Sequence, residues 1–236
     1  MFRTIYMIIY FLVDQLFLLP TLWKVEKLER EGKTKEINDL IHRTGSDWGK
    51  RIVNTTGSKV SISGLENIPQ GPILFVSNHQ GNLDIPILLG FIDKPKAFIA
   101  KIELSKIPVF GKWMQKVKCI FIDREDPRQS LRAINEGIQT LKSGYSMVVF
   151  PEGTRSKGSQ MGEFKKGSLR LATKAKVPIV PVTIDGSYKI MEANGKFIKP
   201  AEVKITISAP IYTENLTKEA ESHLSDQVYE VIKSHL

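Results

Sequence analysis

Four residues separate His79 from Asp84, at the point where the apolar run Ile73-Leu74-Phe75-Val76 breaks into the polar turn Ser77-Asn78-His79-Gln80-Gly81-Asn82. An imidazole accepts a proton near neutral pH, and a neighbouring carboxylate fixes its tautomer and stabilises the imidazolium. The same two residues also read as a polar turn followed by a helix cap, because aspartate favours helix starts and Pro86 suits a first turn. A second stretch, Val148-Val149-Phe150-Pro151-Glu152-Gly153-Thr154-Arg155-Ser156, repeats the arrangement: an apolar strand runs into a polar turn containing glycine. In open α/β sheets, reactive groups gather just past the carboxyl ends of strands.

Asn78-His79-Gln80-Gly81-Asn82-Leu83-Asp84 and Phe150-Pro151-Glu152-Gly153-Thr154-Arg155 resemble the first and third motif blocks of the glycerolipid acyltransferases, most closely the 1-acyl-glycerol-3-phosphate acyltransferases. Ile120-Phe121-Ile122-Asp123-Arg124 resembles the second block, and Val177-Pro178-Ile179-Val180-Pro181-Val182 the fourth. The four occur in family order over residues 77–184. The resemblance implies an enzyme that moves a fatty acyl chain from a thioester to the hydroxyl of lysophosphatidic acid, giving phosphatidic acid. Glycerol 3-phosphate or another lysophospholipid is the alternative acceptor. A non-catalytic protein that binds anionic lipid is the alternative from a different class.

On that reading His79 is the general base and Asp84 its orienting acid. The nucleophile belongs to the substrate, so no serine elbow is needed; Gly144-Tyr145-Ser146-Met147-Val148 lacks the closing glycine of that motif. Direct transfer without an acyl-enzyme is expected. The acceptor's phosphate calls for guanidinium groups, which grip oxygens in pairs, and Arg124 and Arg155 are the candidates. The resemblance adds Glu152, Gly153 and Thr154 to the substrate-binding set. Glu152 either braces Arg155 or orders its turn. Gly153 supplies close backbone approach or a backbone angle closed to other residues, and its amide is one candidate donor to the oxyanion. Lys101 is a candidate for phosphate binding or carbonyl polarisation. Pro181 is expected to shape the site rather than react.

The elements that must position these residues are legible in the hydrophobic pattern. Strands are expected at Lys59–Ser63, Ile73–Ser77, Ala97–Ala100, Cys119–Ile122, Met147–Phe150, Ile179–Ile184 and Val203–Ile207. Most are short continuous apolar runs, as in a parallel sheet covered on both faces. Helices are expected at Pro127–Ser143, with Asp126 as its cap, at Ser168–Lys176 and at about Thr217–Ser234. Alternating strands and helices predict an α/β domain over residues 57–236, a mainly parallel β-sheet flanked by helices.

Residues 1–56 are expected to form a two-helix membrane-docking element. Residues 1–23 are apolar enough to cross a bilayer, but Asp14 would then sit near its middle, at about 2.5–3.5 kcal/mol. The other reading is a helix immersed in one leaflet, with Asp14 and Gln15 turned to the headgroups. Lys24 to Lys35 reads as a helix end and connector. From Thr34, Ile37, Leu40, Ile41, Trp48 and Ile52 form one face, with Lys33, Lys35, Arg43, Lys50 and Arg51 around it. Lipid contact and packing against the domain both explain that stripe.

The chain has 236 residues and a formal charge of +9. That balance suits anionic lipid, an acidic acyl carrier protein or the phosphates of coenzyme A. The basic residues are not interleaved with a base-stacking motif, so nucleic acid is not an expected partner. Lys94, Lys96, Lys106, Lys112, Lys116 and Lys118 lie between the first two blocks, where Ile107-Pro108-Val109-Phe110 and Trp113-Met114 suit lipid insertion, an acyl tunnel or core packing. Cys119 is the single cysteine, which excludes an internal disulfide. There is no zinc-ligand spacing and no phosphate loop, so no metal and no cofactor are expected, with acyl carrier protein or coenzyme A entering as the thioester co-substrate. The cytoplasmic face of the cell membrane is the expected location.

Overall fold

The apolar runs form one sheet in the computed structural model, which describes residues 1–123 and 126–236. The strands are β1 (Lys59–Ser63), β2 (Leu74–Ser77), β3 (Lys96–Lys101), β4 (Ile120–Ile122), β5 (Ser146–Val149), β6 (Ile179–Asp185) and β7 (Glu202–Ile207). Their spatial order is β1-β7-β6-β2-β5-β3-β4. From β6 to β4 every pairing is parallel; β7 runs antiparallel to β6 and carries β1 with it. The expected mainly parallel sheet is therefore present, with strand ends within one residue of those read from the sequence. Cys119 falls just outside β4, and burial pushes its thiol up to about 12.

The helices are α1 (Phe2–Arg30), α2 (Thr34–Thr56), α3 (Asp84–Phe91), α4 (Phe110–Lys116), α5 (Pro127–Lys142), α6 (Arg170–Ala175) and α7 (Lys218–Lys233). Strand residues alternate between the two faces of the sheet, which sorts the core into two layers. Phe75, with Ile73 before it, packs beneath α2 and α3 through Ile52, Val53, Ile87 and Leu88. Leu74 and Val76 face α5, α6 and α7 through Leu141, Leu171, Leu224 and Val228. Side chains cap two of these helices: Asp126, as the sequence suggests, accepts the Arg128 amide, and Thr217 accepts the Ala220 amide.

Two expectations for the N-terminus change. The charged stretch from Lys24 is not a connector up to Lys35, because α1 continues to Arg30 and only Glu31–Lys33 join it to α2. Lysine, glutamate and arginine are good helix formers, and Val25 and Leu28 keep the buried stripe going. Nor do Asp14 and Gln15 turn outward. Both are buried, and the Asp14 carboxylate meets Arg51 of α2, with Nε at 3.1 Å and Nη2 at 3.0 Å. A charge removed from water needs such a partner. The outer face of α1 is left apolar, with Phe2, Ile5, Ile9, Leu12, Leu16 and Phe17 exposed. At 29 residues the helix is about 43 Å long.

The apolar stripe of α2 is spent on protein. Ile41 packs against α1 and Trp113, while Ile52 and Val53 join the layer above the sheet. Lys96 is not part of a basic surface either. Its amine is buried and donates to the carbonyls of Ile92 and Lys94, and burial lowers its pKa to about 7.

Gly49 of α2 and Gly90 of α3 let these helices meet backbone to backbone: a Cβ at Gly49 would lie 2.4 Å from the Pro86 carbonyl and 2.7 Å from the Gly90 amide. Gly49→Ala gains helix propensity of about 1 kcal/mol but forces the pair apart. The expected outcome is net destabilisation by about 1–3 kcal/mol in chemical unfolding. A variant as stable as the parent would show that the contact tolerates separation.

Candidate active site

The carboxyl ends of β6, β2 and β5, three adjacent parallel strands, deliver the turns that hold the candidate residues. Asn78, at the end of β2, clamps the neighbouring strand: its Nδ2 donates to the Ile184 carbonyl and its Oδ1 accepts the Ile184 amide, both at 2.8 Å. The chain then turns through Gly81 into α3, whose first residue is Asp84.

Asp84 is fully buried and its oxygens are fully engaged. Oδ2 lies 2.7 Å from His79 Nδ1 and accepts the Gly81 amide at 2.9 Å, while Oδ1 accepts the Ser187 hydroxyl. With the carboxylate at Nδ1, the proton of neutral imidazole resides there and the Nε2 lone pair is left as acceptor. The ring stacks on Phe150, centroids 4.1 Å apart and planes within 19°. His79 keeps 9% side-chain exposure, so it is not sealed off.

The second turn is fastened to the first. Glu152 is buried, with Oε1 accepting the His79 amide at 2.7 Å and Oε2 the Gly162 amide at 2.8 Å. Ser156 in turn gives its amide to the His79 carbonyl at 2.8 Å. Of the two readings of Glu152, ordering the turn fits these bonds. Burial raises its pKa, and the two amide donors pull it back. Gly153 has φ +70°, the left-handed region, so its backbone angle is what excludes other residues. Its amide donates to the Phe150 carbonyl, inside the turn. Thr154 is exposed beside it. Arg155 Nη1 donates to Asn82 Oδ1, which ties the guanidinium to the histidine turn.

An apolar cavity of about 300 Å³ opens beside this cluster. Asn82 and Leu83 of the histidine turn form part of its wall, and Phe11 of α1, Trp48 of α2 and Phe110 and Trp113 of the α4 segment form others. Phe110 and Trp113 line this cavity and also pack: Phe110 meets Phe11 edge-on at 5.4 Å and Trp48 at 5.7 Å. Lys101 lies at the carboxyl end of β3, two strands from β2 on the same edge, where its amine pairs with Glu103 at 2.7 Å. Arg124 lies outside the described residues.

Two residues that hold the site were missed by the sequence reading. Ser187, which donates to Asp84, follows Gly186, whose φ of +94° and closeness to the Glu202 carbonyl admit no side chain. Glu192 accepts the Asn82 amide and faces Arg155. Both lie just beyond the fourth block, and neither has a nearby spacing partner. Glycine before Ser187 was the one local signal of a constrained turn.

The family model described as Acyltransferase matches residues 59–185. The chain is 37% identical over 188 residues to a probable 1-acyl-sn-glycerol-3-phosphate acyltransferase of Mycoplasma pneumoniae, covering 75% of this chain and 70% of that one. It is 37% identical over 176 residues to a chloroplast 1-acyl-sn-glycerol-3-phosphate acyltransferase of Arabidopsis thaliana, covering 72% of this chain and 49% of the relative, about half the plant protein's length. The crystal structure of the 1-acyl-sn-glycerophosphate acyltransferase PlsC of Thermotoga maritima superposes with a TM-score of 0.87 at 32% identity, covering 99% of this chain and 93% of that one.

Glu152→Gln keeps the shape but offers one acceptor oxygen in place of two, so one of the two amides, the buried one of His79 or that of Gly162, loses its partner. The expected cost is about 1–3 kcal/mol in urea unfolding, together with loss of activity as the His79 backbone slackens. An unchanged midpoint in that titration would contradict the clamp.

Proposed function

The chain belongs to the acyltransferase family, and from that premise we propose that it transfers a fatty acyl chain from a thioester to the sn-2 hydroxyl of lysophosphatidic acid, giving phosphatidic acid. The observation that carries the reading is the His79–Asp84 pair, in a turn whose Asn82 and Leu83 help to wall an apolar cavity. The relatives' names, which specify 1-acyl-sn-glycerol 3-phosphate as the acceptor, support the substrate.

In the proposed reaction the acceptor hydroxyl gives its proton to His79 Nε2 as its oxygen attacks the thioester carbonyl. Asp84 stabilises the imidazolium that forms, because the Nδ1 proton already points at its carboxylate. The tetrahedral intermediate collapses with loss of the thiolate, which takes the proton back from Nε2. The chain's own nucleophile is not required, and neither is a metal or a prosthetic group. Coenzyme A or acyl carrier protein supplies the thioester. The acyl chain occupies the apolar cavity, which lies at the lower end of the size range of small-molecule sites.

Arg155 grips the acceptor's phosphate. Arg124, from the second block, and Lys101, at the same sheet edge, are proposed as further contacts to it, with Glu152, Gly153 and Thr154 shaping the turn around Arg155. Residues 1–56 dock the enzyme on the membrane and residues 57–236 form the catalytic domain. The exposed apolar face of α1 supports lipid contact, and its covered inner face, with Asp14 paired to Arg51, supports a helix lying in one leaflet. The cytoplasmic face is proposed, where both thioester donors occur.

Purified protein on mixed vesicles, given lysophosphatidic acid, glycerol 3-phosphate and other lysophospholipids in parallel, is expected to acylate lysophosphatidic acid fastest. Preference for another acceptor would reassign the substrate. His79→Ala is expected to lower turnover by about 10²–10⁴-fold while vesicle binding is retained. Near-normal turnover would remove the proposed base. Binding without turnover in the unmodified protein would leave only a lipid-binding role.

A further inference from the structure

We infer that Glu192, outside every motif block, is a positioning residue that with Asn82 tethers one edge of the Arg155 guanidinium and presents the other edge to the acceptor's phosphate. The inference rests on the proposed role of Arg155 and extends it to a residue that no motif marks.

Glu192 opens a 3-10 turn, Glu192–Asn194, that follows β6 and the Gly186 turn. Its side chain is 4% exposed. Oε1 accepts the Asn82 amide at 2.8 Å and stands 3.4 Å from Arg155 Nη1. The same Nη1 donates to Asn82 Oδ1. Oε2 is buried and has no hydrogen-bond partner among the described residues. It presses instead against Gly81, where a Cβ would lie 2.6 Å away.

A buried carboxylate with one oxygen unserved is costly unless something nearby compensates its charge. The cation facing it is Arg155. The geometry therefore couples three things: the glycine at position 81, the backbone of the turn that carries His79, and the orientation of the guanidinium. A guanidinium has five N–H donors in a planar fork. Nη1 is occupied by two oxygens of the protein, whereas Nε and Nη2 have no partner among the described residues. That free edge is the one that grips two oxygens of a phosphate with parallel hydrogen bonds. Arg155 is one-third exposed, so without the tether its long side chain would sample many rotamers, and phosphate binding would have to restrict them.

Glu192→Gln keeps an oxygen for the Asn82 amide and removes the charge facing Arg155. With 1-oleoylglycerol 3-phosphate as acceptor, its KM is expected to rise about tenfold, more than kcat falls, the size of one charge-assisted hydrogen bond. The KM for the acyl thioester is expected to stay put. Slow turnover of 1-monooleoylglycerol, which lacks the phosphate, is expected to match the parent. In an Arg155→Ala background, Glu192→Gln is expected to add nothing, since coupled residues are non-additive.

An unchanged or lowered acceptor KM overturns the inference, as does an equal loss with the phosphate-free acceptor, which would mark a merely structural role. If Arg155→Ala itself leaves the acceptor KM unaltered, the proposed phosphate contact falls and this inference with it. If Arg155→Ala raises it and Glu192→Gln does not, only the inference falls. Should Glu192→Gln melt below the assay temperature, Asn82→Ala removes the other Nη1 acceptor at an exposed position; the same phosphate-dependent rise in KM is expected, and its absence overturns the tether.

Discussion

Both backbone polar groups of His79 are held by the turn that follows β5: Glu152 takes its amide and Ser156 serves its carbonyl. The rest of the site depends on this crossing. A loop at a strand end is ordinarily among the softer parts of a fold, because few buried contacts hold it. Here the histidine is fixed from below by Asn78, which is bonded to Ile184 of β6, from the side by Glu152, and at its ring by Asp84 and Phe150. A buried carboxylate that accepts two amides orders two chain segments at once. The raised pKa of Glu152 records the desolvation this placement costs.

Around that crossing the polar groups are divided by strand. The turn after β2 carries the His79 ring, the turn after β5 the Arg155 guanidinium, and the turn after β6 two residues that meet this cluster, Ser187 at Asp84 and Glu192 at Arg155. Three adjacent parallel strands are needed because their carboxyl ends lie at one level and one spacing, so three short turns can meet. Antiparallel β7, beyond β6, points its carboxyl end the other way and contributes no side chain to this cluster.

The N-terminal helices are part of the same construction. Gly49 and Gly90 allow α2 to lie directly on α3, the helix that begins at Asp84, and α1 lies on α2. The apolar cavity is thus walled by the histidine turn on one side and by the N-terminal helices on the other. The Asp14–Arg51 pair keeps the one acidic residue in the middle of α1 on the inner side, so the outward surface stays apolar from Ile5 to Phe17.

Local pattern was enough for much of this molecule. Most strands were legible because residues buried on both faces of a parallel sheet must be apolar without interruption, β1 and β7 by alternation instead, and the amphipathic helices because one stripe of each must be apolar. His79, Asp84, Glu152, Gly153 and Arg155 stood out because they fall in short blocks at strand ends that resemble the motifs of the glycerolipid acyltransferases. Short range fails where an interaction joins distant segments. Ser187 and Glu192 lie 103 and 37 residues from the groups they hold, and a serine or a glutamate carries no sign of burial in its own neighbourhood. The inward turn of Asp14 was hidden for the same reason, since its partner is 37 residues away and a lone acid in an apolar helix looks equally suited to headgroups. Sequence determines which residues can react and which stretches must be buried, because both follow from side-chain chemistry and period. Only the tertiary structure decided which charges face one another, because that depends on how strand order and helix packing bring the turns together.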